Sequence, residues 1–300
     1  MIEEQFNNDW KDILQKLAEI REKEEYSAEE VEFIRQQLQA TDDRIRGGAA
    51  LAASGCVFEP YILDLLMEMA QSGEEEPIRK ASIQSLGEVI NEGVMRRFED
   101  NIGANTDLEF FEEWDELQLE TLQEDYLRVK NLLLSIVQDD SESLPIREAG
   151  LLSLSHLGFL LPIQEVIRDF LNMKEISSQL VALHAMGKYP QIWIKELYHF
   201  IDKTIPKALL MEAISSSYSS NSGLLAKRIE SLLPSDDPDI VSYALLTLAN
   251  INKTENLIEI LQKFSHSENK QISQAAKDAL ENLSRINFSD YMEKELGIQE

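Results

Sequence analysis

The chain has 300 residues, 43% of them hydrophobic, with one cysteine and a formal charge of −27 from 55 acids against 28 bases. There is enough apolar material for a core, and a single thiol excludes an intramolecular disulfide. An excess of acids this large opposes nucleic-acid binding, which needs basic side chains to displace counterions from phosphate, and it opposes anionic membrane surfaces likewise.

Only 12 glycines and 8 prolines occur, and apolar/polar alternation is scarce, so the chain reads as all-α. Phe6, Trp10, Ile13, Leu14, Leu17 and Ile20 share one helical stripe. Within residues 1–26 they predict a helix able to cover the open end of whatever follows. Ser27 and Glu30 form a capping box for a helix carrying Val31, Ile34 and Leu38. Asp42 and Asp43 open the next helix at Ile45. Pro60–Ala70 follows, and Pro77 stands in a first turn, where a missing N–H costs nothing. Val94–Asp100 predicts a short separate helix ended by Gly103. Residues 103–125 form an acidic insertion whose aromatic residues are Phe110, Phe111 and Trp114. From Leu117 a long stripe continues through Leu122, Tyr126, Val129, Leu133, Ile136 and Val137. Helices are expected from Pro162, over Ile192–Ile201, over Leu224–Leu233, at Pro238, over Asn256–Phe264 and over Ile272–Ile286. The segment 287–300 reads as a C-terminal cap or tail.

One pattern recurs along the chain. Starting from Ile78, apolar or small residues stand at offsets 0, 4, 7, 8 and 11: Ile78, Ser82, Ser85, Leu86 and Val89. The same template opens at Ile45, Ile146, Ser178, Ile205, Ile240 and Ile272, with start-to-start spacings of 33, 68, 32, 27, 35 and 32. A period of this size marks an array of helical hairpins. Small residues in each stripe let another helix approach closely. Gly47–Gly48 fits the same purpose.

These lines resemble HEAT repeats, and more closely the short HEAT-like repeats of bilin-lyase relatives. The resemblance rests on Ile45–Arg46, Pro77–Ile78–Arg79, Pro145–Ile146–Arg147 and Asp237–Pro238–Asp239–Ile240, and it covers roughly residues 27–286. It implies a right-handed α-α superhelix, a solenoid of about seven helical-hairpin units whose second helices line a concave face. The arginine after the first apolar residue is replaced by Gln179, Pro206, Val241 and Ser273 in the remaining units.

The search for chemistry finds little. His156, His184, His199 and His266 are the four histidines. None is followed by the glutamate of the di-iron sites in HEAT-like deoxyhypusine hydroxylases, and no pair has the spacing of a zinc helix. There is no Gly-rich phosphate loop and no Gly-x-Ser-x-Gly elbow. Cys56 reads as a small buried thiol. No catalytic, cofactor-binding or metal-binding residue is therefore assigned. Met1–Glu4 lacks a secretory start, and Leu157–Ile163 is too short to cross a bilayer, so the expected location is cytoplasmic.

The concave face remains. Its helical offsets place Leu152, Phe159, His184, Met211, Tyr218 and Leu246 where an outward face should be polar. This row either packs laterally between neighbouring second helices or lines a partner-binding surface. A partner would be a protein, basic or shaped as an amphipathic helix, and Phe110, Phe111 and Trp114 would offer it a second contact. The expected function is thus a non-catalytic scaffold or adaptor. The alternatives are a bilin-lyase-like enzyme or chromophore-handling factor, and an acidic chaperone for a basic protein.

Overall fold

The structure, a computed structural model, describes residues 9–71, 73–99, 116–251, 254 and 256–291. Among these residues there are fifteen α-helices and no strand. The chain forms two compact units, the first ending at Val166 and the second beginning at Ile167.

In the first unit α1 (Asp9–Arg21) lies against α3 (Asp43–Ala52). It covers the first hairpin, and Gly48 makes room for it: a Cβ there would stand 2.5 Å from Leu14 Cδ2. The hairpins are α2 (Ala28–Leu38) with α3, α4 (Pro60–Ala70) with α5 (Glu76–Met95), and α6 (Glu116–Gln138) with α7 (Leu144–Leu154). The capping box of Ser27 and Glu30 is formed, and Asp42 accepts a hydrogen bond from the Arg44 N–H at the start of α3. Helix α8 (Leu161–Leu171) runs across the unit boundary and is followed by α9 (Ile176–Met186). The second unit continues with α10 (Ile194–Phe200), α11 (Lys207–Ser216), α12 (Gly223–Glu230), α13 (Pro238–Ile251), α14 (Leu257–Ser265) and α15 (Lys270–Tyr291). The described helices thus make seven hairpins, as the repeat period requires. Among the described residues, the spacing of 68 holds one hairpin, α6 with α7.

The second helix of each pair packs on the next: α3 on α5, α5 on α7, then α9 on α11, α11 on α13 and α13 on α15. The contacts repeat at equal offsets. In the first unit the hydroxyl at offset 7 donates to the carbonyl at offset 5 of the preceding second helix: Ser85 to Ala50 at 2.6 Å, and Ser153 to Ile83 at 2.9 Å. A glycine at offset 9 meets offset 7 of the following helix in both units. A Cβ on Gly87 would lie 3.2 Å from Ser153 Oγ, and one on Gly187 would lie 3.1 Å from Ser216 Cα.

That last pair corrects one register. Ile205 and Pro206 precede α11, because the residue before a proline is driven out of the helical region. Leu209, Ala213, Ile214, Ser216 and Ser217 are buried, and they match Ile146, Gly150, Leu151, Ser153 and Leu154 of α7 position for position. The unit therefore opens at Leu209, and the neighbouring spacings of 27 and 35 become 31 and 31.

Two further expectations change. Val94 belongs to the end of α5 rather than to a separate short helix, because Gly87 does not stop α5 and the helix closes at Met95. Helix α15 runs unbroken through Asn287 to Tyr291, and residues beyond lie outside the described part.

The residue at offset 1 has a structural duty. Arg46, Arg79 and Arg147 donate to the carbonyls of Ala40, Ala70 and Val137 at the ends of their own units' first helices. Helix C-termini leave such carbonyls without intrahelical partners. Gln179 does the same toward Leu171 and Met173, and Ser273 toward Ser265. These two replacements keep the hydrogen bond and lose the charge, whereas Val241 and, in the corrected register of α11, Leu210 have no side-chain donor to make it.

Candidate functional site

On each second helix one stripe stays uncovered, opposite the buried positions. On α7 it holds Leu152, 41% exposed, and beyond the helix end it continues to the half-buried Phe159. On α9 it holds the exposed His184. On α11 it holds the half-buried Met211 and the exposed Ser215, and it ends at Tyr218, 46% exposed. On α13 it holds Tyr243, 46% exposed, with the half-buried Leu246 and Asn250. Met211 stands at offset 2 in the corrected register, yet it stays on the uncovered stripe, since four residues turn a helix by only about 40°.

The six row residues divide between the units. Leu152 and Phe159 belong to the first, and His184, Met211, Tyr218 and Leu246 to the second. Within the second unit, His184 Nδ1 lies 3.2 Å from Glu212 Oε1, which joins the stripes of α9 and α11. Tyr218 and Asn250 line one cavity of about 280 Å³ with Ser220 and Ile251, which brings the end of α11 to the end of α13. Tyr243 was not foreseen. It stands three residues before Leu246 on the same helical stripe, and that i, i+3 relation was available in the sequence. Phe110, Phe111 and Trp114 lie outside the described residues.

The charge is unevenly divided. Residues 1–166 carry 37 acids and 14 bases, and residues 167–300 carry 18 and 14, so the nets are −23 and −4. The carboxylates on the uncovered stripes of the second unit include Glu212 beside His184, Asp239 paired with Lys207, and on α15 Asp278 and Glu281.

Other chemistry is sparse. Cys56 is buried, and burial pushes its thiol up to about 12, so it is not a nucleophile at neutral pH. Tyr126 is fully buried and donates to Glu99 at 2.6 Å. Burial and that carboxylate push its hydroxyl well above the usual range, which makes it an anchor for the end of α5 rather than an acid. His266 faces the Gln262 carbonyl at 2.8 Å. Among the described residues no group of three or more His, Cys, Asp or Glu is placed to hold a metal ion. No described helix is long and apolar enough to cross a membrane.

The sequence matches no protein-family profile and no curated protein. Among solved structures, the chain is similar to Kap121p bound to Pho4p, at 12% identity over 84% of this chain and 37% of that one, with a TM-score of 0.44. It is also similar to the CpcE–CpcF complex of phycocyanin lyase from Nostoc sp. PCC7120, at 16% identity over 87% and 98%, TM-score 0.38. An engineered protein is similar at 14% identity over 93% and 96%, TM-score 0.32. The repeated contacts described above, rather than these distant likenesses, establish the helical-hairpin architecture.

Proposed function

We propose that this chain is a non-catalytic protein-binding module, and that the uncovered stripes of its second helices are the binding surface. The observation that carries the reading is the recurrence of partly exposed apolar and aromatic residues on those stripes: Leu152 and Phe159 on the first unit, Met211, Tyr218, Tyr243 and Leu246 on the second. An unpartnered helix face should be polar. Clustered apolar residues on one are the anatomy of an interface core.

The partner that fits is an amphipathic segment, most simply a helix, with basic residues. Its apolar side would bury against Met211 and Leu246, worth about 25 cal/mol per Å² before ordering costs. Its basic residues would be drawn by the acidic charge of the chain as a whole, which raises the association rate and weakens as salt rises. Phe110, Phe111 and Trp114 remain proposed as a further contact.

The test is the double substitution Met211→Asp with Leu246→Asp. Cross-linking mass spectrometry on co-purified material should place partner peptides at residues 211–246 of the native chain. The double variant should lose them while its far-ultraviolet circular dichroism and melting midpoint stay native. Unfolding of the variant would show these residues to be core, and unchanged cross-links would place the interface elsewhere.

A further inference from the structure

The larger of the two described cavities lies away from those stripes. It is an open cleft of about 550 Å³ where the end of α8, the first turn of α9 and helix α10 meet. Leu171 and Phe200 supply apolar wall, and Asn172 and Gln179 supply amides. Lys195 and His199, one turn apart on α10, are exposed and complete the lining with Glu196.

The charges there are unevenly answered. Glu196 faces Arg168 at 3.9 Å, and the Arg168 guanidinium lies over the Trp193 ring, 4.9 Å from its centre. The carboxylate of the cavity is therefore already opposed by a cation. Gln179 is held in place by its bonds to Leu171 and Met173. Lys195 and His199 form no ion pair among the described residues. In a unit with 18 acids and 14 bases, two neighbouring basic side chains without an ion-pair partner, beside a carboxylate that already faces Arg168, leave a local excess of bases. The volume falls within the range of small-molecule sites, about 300–1,000 Å³.

We propose that this cavity binds a small organic anion, its carboxylate between Lys195 and His199 and its apolar body against Leu171 and Phe200. Two charge-assisted hydrogen bonds would hold the head group, and the apolar wall would separate this ligand from simple inorganic anions. The site is independent of the protein-binding stripes.

The experiment is nuclear magnetic resonance on the full chain, read at the imidazole signals. With four histidines in the chain, the His199 signal is assigned by its disappearance in His199→Gln. Benzoate, inorganic phosphate and benzylammonium are the probes. Benzoate should shift the His199 signal saturably, phosphate should bind more weakly, and benzylammonium should leave it unmoved. Lys195→Met keeps the aliphatic stem and should weaken benzoate about tenfold or more. The variant Met211→Asp with Leu246→Asp should bind benzoate like the native chain. No saturable shift with benzoate, undiminished binding in Lys195→Met, or an equal response to benzylammonium overturns the anion site. A phosphate response as strong as that of benzoate overturns the role given to Leu171 and Phe200.

Discussion

Two arginines show what single residues contribute here. Arg97 has φ of +58° at the end of α5. It holds the left-handed position of a paired C-terminal motif in which Phe98 N–H donates to Gly93 O at 2.9 Å and Arg97 N–H to Val94 O at 3.0 Å. An L side chain there costs about 1–2 kcal/mol, part of which glycine recovers before its own entropy loss. Arg97→Gly should therefore stabilise by about 0.5–1 kcal/mol, read as a higher urea midpoint; a lower midpoint would mean the arginine side chain contributes more than its backbone costs. Arg79 is different. It donates to Ala70 O at the end of α4 and forms a two-pronged ion pair with Glu142, with side chains only 11% and 17% exposed. The Arg79 guanidinium holds the Glu142 carboxyl below the usual range. A depressed carboxylate contributes stability above its ordinary value, about 4.3, and loses it as pH falls through the lowered one. Arg79→Met should thus cost about 2–3 kcal/mol at pH 7 and distinctly less at pH 3. Equal losses at both pH values would locate the effect in the carbonyl contact alone.

At the scale of the element, the second helices pack through small residues at fixed offsets. Gly87 against Ser153 and Gly187 against Ser216 are the same contact in two places. A larger side chain at either must push one second helix off the next. Gly87→Val and Gly187→Val should each destabilise by about 1–3 kcal/mol, the range for overpacked cores. Valine at the exposed Gln84 of the same helix α5 should change stability by about 0.5 kcal/mol or less. Denaturant melts of the three variants decide it; if Gly87→Val melts like the native chain, the helices tolerate separation and the repeat contact is not a constraint. These offsets were legible in advance for α3, α5, α7, α9, α13 and α15, because in each an apolar or small residue at offset 0 is followed by small residues at offsets 4 and 7. Helix α11 was misplaced by four residues. Ile205 and Leu209 fall on nearly the same face of a helix, so periodicity alone cannot choose between them, and the choice is made by Pro206 and by the seating of Ser216 on Gly187.

At the scale of the whole molecule, the charge of −27 works against folding. Most of it belongs to the first unit, at −23. Apart from half-buried pairs such as Arg79 with Glu142, several ion pairs there, such as Arg35 with Glu32 and Arg44 with Asp42, are exposed and contribute little against it. Unbalanced like charge destabilises the compact state. Raising sodium chloride from about 20 mM to 500 mM shortens the screening length from about 20 Å to about 4 Å, and it should raise the melting midpoint. A midpoint that falls with salt would show the ion pairs outweighing the repulsion. The same screening should weaken a basic partner and leave the Met211 and Leu246 contact intact, so residual affinity at high salt measures the apolar share.

By itself the sequence determined the all-α class, the hairpin period and the buried stripe of nearly every second helix, because helical periodicity and small-residue spacing are local properties written along the chain. It also singled out Met211 and Leu246, since an apolar residue at an outward offset is visible without coordinates. Tertiary structure alone decided the division of charge between two units, the register of α11, the duty of the offset-1 arginines and the meeting of Lys195 and His199 with Asn172 and Gln179. Each of these depends on which turn lies beside which. Contacts between segments far apart in the chain leave no period for a sequence to show.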